Sequence, residues 1–269
     1  MKTNYTYNIF EKSPIFDEID TSSLNLYADC YANKKCPVCG TQQKKLPKTH
    51  CICQCCKNTI YTRVSPFANQ YLLLDKKGLW KFEFIKDSLA DRRFIYRMIN
   101  ILNTEDENFN IVQLQNNMLE YNKTCVEILV DEFYTNAKNN ATSNLLGLMR
   151  NDFLNIAYIK AKYDSTEKAL EMYFVVLFLD ILGYTNETIC NNNGVINITS
   201  YTKHPELSFI APTIINDIIK LLHKENYNIA SMYETYRQGI LKLPINIESD
   251  DILITWWKII DIIKFKDNQ

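Results

Sequence analysis

From about residue 84 onward, apolar side chains recur at the spacing of helices. Over residues 84–102, Ile85, Leu89, Ile95, Ile99 and Leu102 fall near one face. Over 111–133, Leu114, Met118, Tyr121, Cys125, Ile128 and Leu129 do likewise. A third helix is predicted over 144–163. A fourth is predicted over 166–182, with Asp164 as N-cap, Glu167 in its first turn and Gly183 closing it. Residues 186–200 are polar and read as a loop with a short strand at 195–198. Pro212 opens a helix through Leu222, another is predicted over 229–241, and a last over 249–265, with Pro244 separating the final two. No heptad persists, so no coiled coil is expected.

The first quarter of the chain reads differently. Ile60-Tyr61-Thr62-Arg63-Val64 is rich in β-branched and aromatic residues and predicts a strand, which Ser65-Pro66 ends. Tyr71-Leu72-Leu73-Leu74 reads as a connector into the helical part. The predicted organisation is an N-terminal extension over 1–30, a small β ribbon over 31–70 and an all-helical body over 71–269. The extension carries Tyr5, Tyr7, Phe10, Phe16 and Tyr27, which would pack on the ribbon or on the body. The fold class is therefore mainly α. Composition agrees: 6 glycines in 269 residues leave few forced turns for a many-stranded fold. A chain of this length buries a core without disulfide staples.

Cysteine usage changes the picture near the N-terminus. The opening MKTNYTYNIFEKSP has no apolar segment of a secretory signal, and the longest apolar run, 172–179, is closed by Asp180 and too short to span a bilayer. A cytoplasmic protein with no membrane contact is expected. Six of the nine cysteines crowd between Cys36 and Cys56, and in that compartment they read as metal ligands rather than disulfides. Cys36-Pro-Val-Cys39-Gly40 and Cys53-Gln-Cys55-Cys56 are two C-x2-C pairs, separated by the 13 residues 40–52. Each pair forms a tight knuckle, and a hairpin between them would bring four thiolates onto one Zn²⁺. With Cys36, Cys39, Cys53 and Cys56 all supplied by the protein, no position is left for water or substrate, so a structural zinc is expected. His50, Cys51 and Cys55 lie beside the second knuckle without its spacing and are read as bystanders. Cys30, Cys125 and Cys190 stand alone.

Net charge is −1, which hides an asymmetry. Residues 30–74 contain no Asp or Glu but carry Lys34, Lys35, Lys44, Lys45, Lys48, Lys57 and Arg63. Seven positive charges, less the two negative left on a zinc with four thiolates, make about five net positive charges. Such a block suits a polyanion, DNA or RNA, whose displaced counterions supply affinity. It also suits the solvation of a very small domain. Arg93 and Arg97 share a helix face that would extend this surface, or else pair with Asp87 and Asp91. Tyr61 and Phe67, interleaved with Lys57 and Arg63, are candidates for base stacking or for the ribbon's own core. Trp256-Trp257 reads as one core and one edge residue.

No nucleotide-binding, zinc-protease or nucleophile-elbow motif occurs, and His50, His204 and His223 have no ligand spacing to one another. An enzyme is not expected.

Several motifs together resemble a family of bacterial zinc-ribbon proteins of no assigned activity, often encoded in prophages and mobile elements. In the ribbon they are Cys36-Pro-x-Cys-Gly, Leu46-Pro47-Lys48, Cys53-x-x-Cys56, Ile60-Tyr61-x-Arg63-x-x-Pro66-Phe67 and Leu72-Leu73-Leu74. In the body they are Leu154-x-x-Ala157, Ala169-Leu170-x-x-x-Tyr173, Leu179-Asp180, Phe209-x-Ala-Pro212, Leu243-Pro244 and Trp256. The resemblance covers most of residues 31–260 and implies the same architecture and a mobile-element setting. Two positions depart from the family, Thr49-His50 where more basic residues are common and Val64 where Thr is usual. Both weaken the polyanion case. Leu154, Ala157, Tyr158, Ala169 and Tyr173 also approximate one tetratricopeptide-like helix pair, with a turn about two residues too long.

The function expected from all this is a non-enzymatic zinc-ribbon binding or adaptor protein, phage- or mobile-element-encoded, engaging nucleic acid through the ribbon. The alternative is a protein-binding regulator or inhibitor of a host complex, such as defence or transcription machinery, acting through the helical body.

Overall fold

The computed structural model describes residues 21–65, 69–105, 109–190, 196–205 and 210–268. The expectations for Tyr5, Tyr7, Phe10, Phe16, Pro66, Phe67, Val195 and Phe209 fall outside the described residues. The chain is mainly helical, with a small antiparallel sheet near its N-terminus. It forms two compact units, Met1–Arg97 and Met98–Gln269. The division falls within a helix, between Arg97 and Met98.

The first unit contains α1 (Asn25–Ala32), β1 (His50–Ile52), β2 (Thr59–Val64), β3 (Tyr71–Leu74) and the greater part of α2 (Lys76–Glu105). The strands form one antiparallel sheet in the order β1-β2-β3. His50 lies opposite Tyr61, and Tyr61 opposite Leu74. The run expected as a connector is thus the third strand. Leu72, Leu73 and Leu74 are all fully buried because the sheet is covered on both faces. Leu72 and Leu74 pack with Leu24, Phe82 and Ile85, while Leu73 packs with Ile60, Cys36 and Cys53 on the other side. A strand buried on both faces shows no polar alternation, which is why it lacks a strand signature in sequence.

Helix α2 starts eight residues before its expected start at 84. Asp75 caps it: its Oδ1 accepts the Gly78 N–H at 2.6 Å and the Tyr27 hydroxyl at 3.3 Å. Gly78 lies so close to the Tyr27 ring that a Cβ there would sit 2.4 Å from a ring carbon. Tyr27 thereby ties α1 to the start of α2.

The second unit is built around α6 (Thr166–Leu182), which has buried residues on every side. Packed against it are α5 (Leu146–Tyr163), α7 (Pro212–Glu225), α8 (Tyr233–Ile240) and α9 (Ser249–Asp267). The α5–α6 pair, whose residues approximate a tetratricopeptide hairpin, buries Ala157 and Ala169 fully and sets Tyr158 edge-on to Tyr173. A bidentate ion pair also joins the two helices: Arg150 Nε and Nη2 donate to Asp180 at 2.8 and 2.7 Å. In α9, Trp256 is buried against Phe174 and Tyr236, while Trp257 is 59% exposed. That is the expected core-plus-edge pair.

Four expectations need correction here. The helix predicted over 111–133 is two helices, α3 (Ile111–Tyr121) and α4 (Cys125–Thr142). Asn122 is left-handed at φ 50°, and Thr124 with Glu127 forms a capping box that starts α4 afresh. The N-cap of α6 is Ser165, whose side chain accepts from the Lys168 N–H, rather than Asp164. The region expected as a loop with one short strand at 195–198 is a hairpin, β4 (Tyr184–Cys190) with β5 (Ile196–Lys203). The segment predicted as one helix over 229–241 opens with a 3₁₀ turn before α8. Among the described residues no helix is long and apolar enough to cross a membrane.

Candidate metal centre

The two knuckles are copies of one backbone turn. In the first, the Cys36 N–H donates to Thr41 O at 2.9 Å and the Gly40 N–H to Cys36 O at 2.9 Å. In the second, the Cys53 N–H donates to Asn58 O at 2.8 Å and the Lys57 N–H to Cys53 O at 3.0 Å. The offsets are identical, 17 residues apart. The residue after each second cysteine is left-handed: Gly40 at φ 71° and Lys57 at φ 61°. Glycine adopts that geometry freely, whereas lysine does so at a cost of about 1–2 kcal/mol.

These turns bring the four predicted ligands together. The sulfurs of Cys36, Cys39, Cys53 and Cys56 all lie within 4.8 Å of one another. Cys36 Sγ is 3.8 Å from Cys56 Sγ, and Cys39 Sγ is 3.7 Å from Cys53 Sγ. A tetrahedral Zn²⁺ with thiolates at about 2.3 Å separates its sulfurs by about 3.8 Å. The cluster therefore has the dimensions to hold a metal ion and fits zinc. Neither His50, Cys51 nor Cys55 belongs to it.

The surroundings differentiate the thiols. Cys36 and Cys53 are buried with Ile60 and Leu73, while Cys39 is exposed. Burial pushes the Cys36 thiol up to about 12, against the pull of the Cys39 and Val38 N–H groups. The Thr41 hydroxyl and N–H bring Cys39 down to about 6. The Cys56 and Cys55 N–H groups lower Cys53. Peptide N–H groups aimed at sulfur stabilise thiolate, the form a metal binds, so metal uptake here would release protons.

Sequence reasoning misses one contributor. Gln43 is buried, and its Nε2 donates to Cys53 Sγ at 3.5 Å and to Thr41 O at 2.9 Å. It connects the chain after the first knuckle to a sulfur of the second, orienting a ligand from the outer shell. Nothing in a lone glutamine between two spaced pairs signals this.

The basic residues separate into two groups. Lys34, Lys35, Lys44, Lys45, Lys48 and Lys57 are all exposed and have no ion-pair partner among the described residues. Arg63 differs: its Nε is 3.6 Å from Glu83 Oε1, its Nη1 donates to Thr62 O, and its guanidinium lies over the Tyr61 ring. Much of its charge is already engaged. Cys125 is buried on α4, where burial pushes its thiol up to about 12 and leaves it inert.

No protein-family model matches the chain, and no curated protein or solved structure matches it.

Proposed function

We propose that this is a zinc-stapled binding protein that seats its basic N-terminal ribbon on the phosphates of a nucleic acid. The reading assigns zinc to the Cys36, Cys39, Cys53 and Cys56 cluster in a purely structural role, since four protein thiolates complete its coordination. The observation that carries the binding role is six exposed lysines with no ion-pair partner among the described residues, in a stretch with no acidic residue. Charges held in a rigid small unit and not spent on internal ion pairs are available to displace counterions from a polyanion. Lys44→Glu combined with Lys45→Glu tests it. Affinity for a pool of DNA and RNA fragments should fall steeply, and its dependence on salt should flatten. Unchanged binding, or none by the native protein at low salt, would refute the proposal.

A second reading has its own observation. On α9, Leu253, Ile254 and Trp257 are 50%, 56% and 59% exposed at neighbouring helical positions. Three large apolar side chains on one exposed face favour a protein partner, the regulator of a host complex. Co-purification with and without nuclease separates the two: a stoichiometric protein that survives nuclease and is lost in Trp257→Glu supports the second. The mobile-element setting rests on the motif resemblance alone.

A further inference from the structure

Beside the knuckles, β1 and β2 carry a short row of planar side chains. His50 and Tyr61 are directly opposed across the two strands, their ring centroids 6.3 Å apart and their planes 35° from each other. The Arg63 guanidinium lies 5.9 Å from the Tyr61 centroid, two residues along the same strand and on the same face. His50 is exposed and Tyr61 and Arg63 are half-buried, so the row is open at its β1 end and anchored at its β2 end. Ile52, also on the His50 face of β1, is 64% exposed.

The row runs into a cleft of about 490 Å³ between β2 and α2. Its apolar floor includes Phe82 and Leu89, and its charged lining is Arg63, Lys86, Arg93 and Glu83. Glu83 sits between two of those cations, 3.6 Å from Arg63 and 2.9 Å from Lys86. Three positive charges therefore face one carboxylate that is already shared, and Arg93 is exposed with no ion-pair partner among the described residues.

We infer that the ribbon's ligand is a single-stranded polynucleotide, with a base against the His50–Tyr61 row and a phosphate at the mouth of the Arg63–Lys86–Arg93 cleft. The inference rests on the nucleic-acid reading above and narrows it. In a duplex the base faces are covered by their neighbours, so an exposed ring row gains nothing from it. A single strand presents base faces and phosphates alternately, and aromatic rings flanked by cations answer both. The cleft, within the size range of small-ligand pockets, accepts part of a nucleotide but not the width of a double helix. The chemistry is common to DNA and RNA.

Fluorescence anisotropy of the zinc-loaded full chain tests it, using a labelled single-stranded DNA of about twelve nucleotides, the RNA of the same sequence, and the DNA duplex. At equal salt, at least one single strand should bind about tenfold or more tighter than the duplex. Which of the two binds identifies the source. His50→Ala should weaken single-strand binding about fivefold or more and leave duplex binding unchanged. Arg93→Gln should reduce the steepness of log K against log salt by about 0.7 for the single strand. Binding that is lost in Lys44→Glu with Lys45→Glu, yet equal for duplex and single strand or indifferent to His50→Ala, overturns this inference and leaves the broader one standing. No binding of any probe at low salt overturns both.

Discussion

Cys39→Ser isolates the proposed metal from everything else that holds the ribbon. Cys39 is exposed, so replacing one sulfur by oxygen leaves no cavity and disturbs no packing, unlike the same change at fully buried Cys53. Among the described residues, the aliphatic side chains fully buried beside the cluster are Ile60 and Leu73, contributing about 1.5–3 kcal/mol each. A structural zinc contributes about 10–16 kcal/mol in small domains. The metal term is the larger, and a variant with three thiolates should lose most of it. Hydrogen exchange read by mass spectrometry should show the Cys36 and Cys53 amides, both hydrogen-bonded within their knuckles, losing protection together. Zinc content should fall well below one ion per chain. Far-UV circular dichroism should keep most of its helical signal, because the α6-centred unit has its own core. Cys55→Ser is the control: also exposed but outside the cluster, it should keep both zinc and protection. Full zinc retention by Cys39→Ser, or loss in Cys55→Ser, would refute the ligand assignment. Collapse of the entire helical signal in Cys39→Ser would refute the independence of the two units.

Four other outcomes follow from the same geometry. Gln43→Ala should weaken zinc affinity about 10–100-fold in competition with a chromophoric chelator, since it removes the amide that orients Cys53; unchanged affinity would make Gln43 a mere space-filler. Lys57→Gly should slow zinc loss to chelator, because the left-handed turn costs lysine about 1–2 kcal/mol and glycine's chain entropy returns only about half of that. Arg150→Met should cost about 3–5 kcal/mol in urea unfolding by stranding Asp180, whose carboxyl burial already pushes upward. The stranded species is the charged one, so that loss should shrink as pH falls and Asp180 protonates. Thr124→Ala should cost about 1 kcal/mol. The Thr124 N–H and hydroxyl hold Glu127 below the usual carboxylate range, so the stabilisation is present above that range and the difference from the native chain should narrow below about pH 4.

What could be read in the sequence depended on how locally each feature is encoded. The knuckles were legible because each is a five-residue pattern whose chemistry needs its own spacing. Helix α6 was legible to the residue, with Gly183 as its left-handed C-cap, because a long apolar segment ends where the cap stands. The break at Asn122 was written in the sequence as Thr124-x-x-Glu127 but hidden by apolar positions that stay in phase from Leu114 to Leu129. The third strand of the sheet was hidden for the opposite reason: Leu72-Leu73-Leu74 owes its conformation to partners on both faces, which no local pattern records. Gln43 and the His50–Tyr61 pairing belong to the same class, since each becomes meaningful only when distant segments meet.

The twin turns make the chelate a device of two bites. Each half offers two sulfurs to an ion, and the other half would arrive by closing a loop of 13 residues. The entropy of such closure grows only logarithmically, about 0.6 kcal/mol for a doubling of length. Capture of the ion thus sets few demands on the interval between the halves. That interval is where Lys44, Lys45 and Lys48 reside, and its length and sequence are free to vary while the paired turns beneath it stay the same.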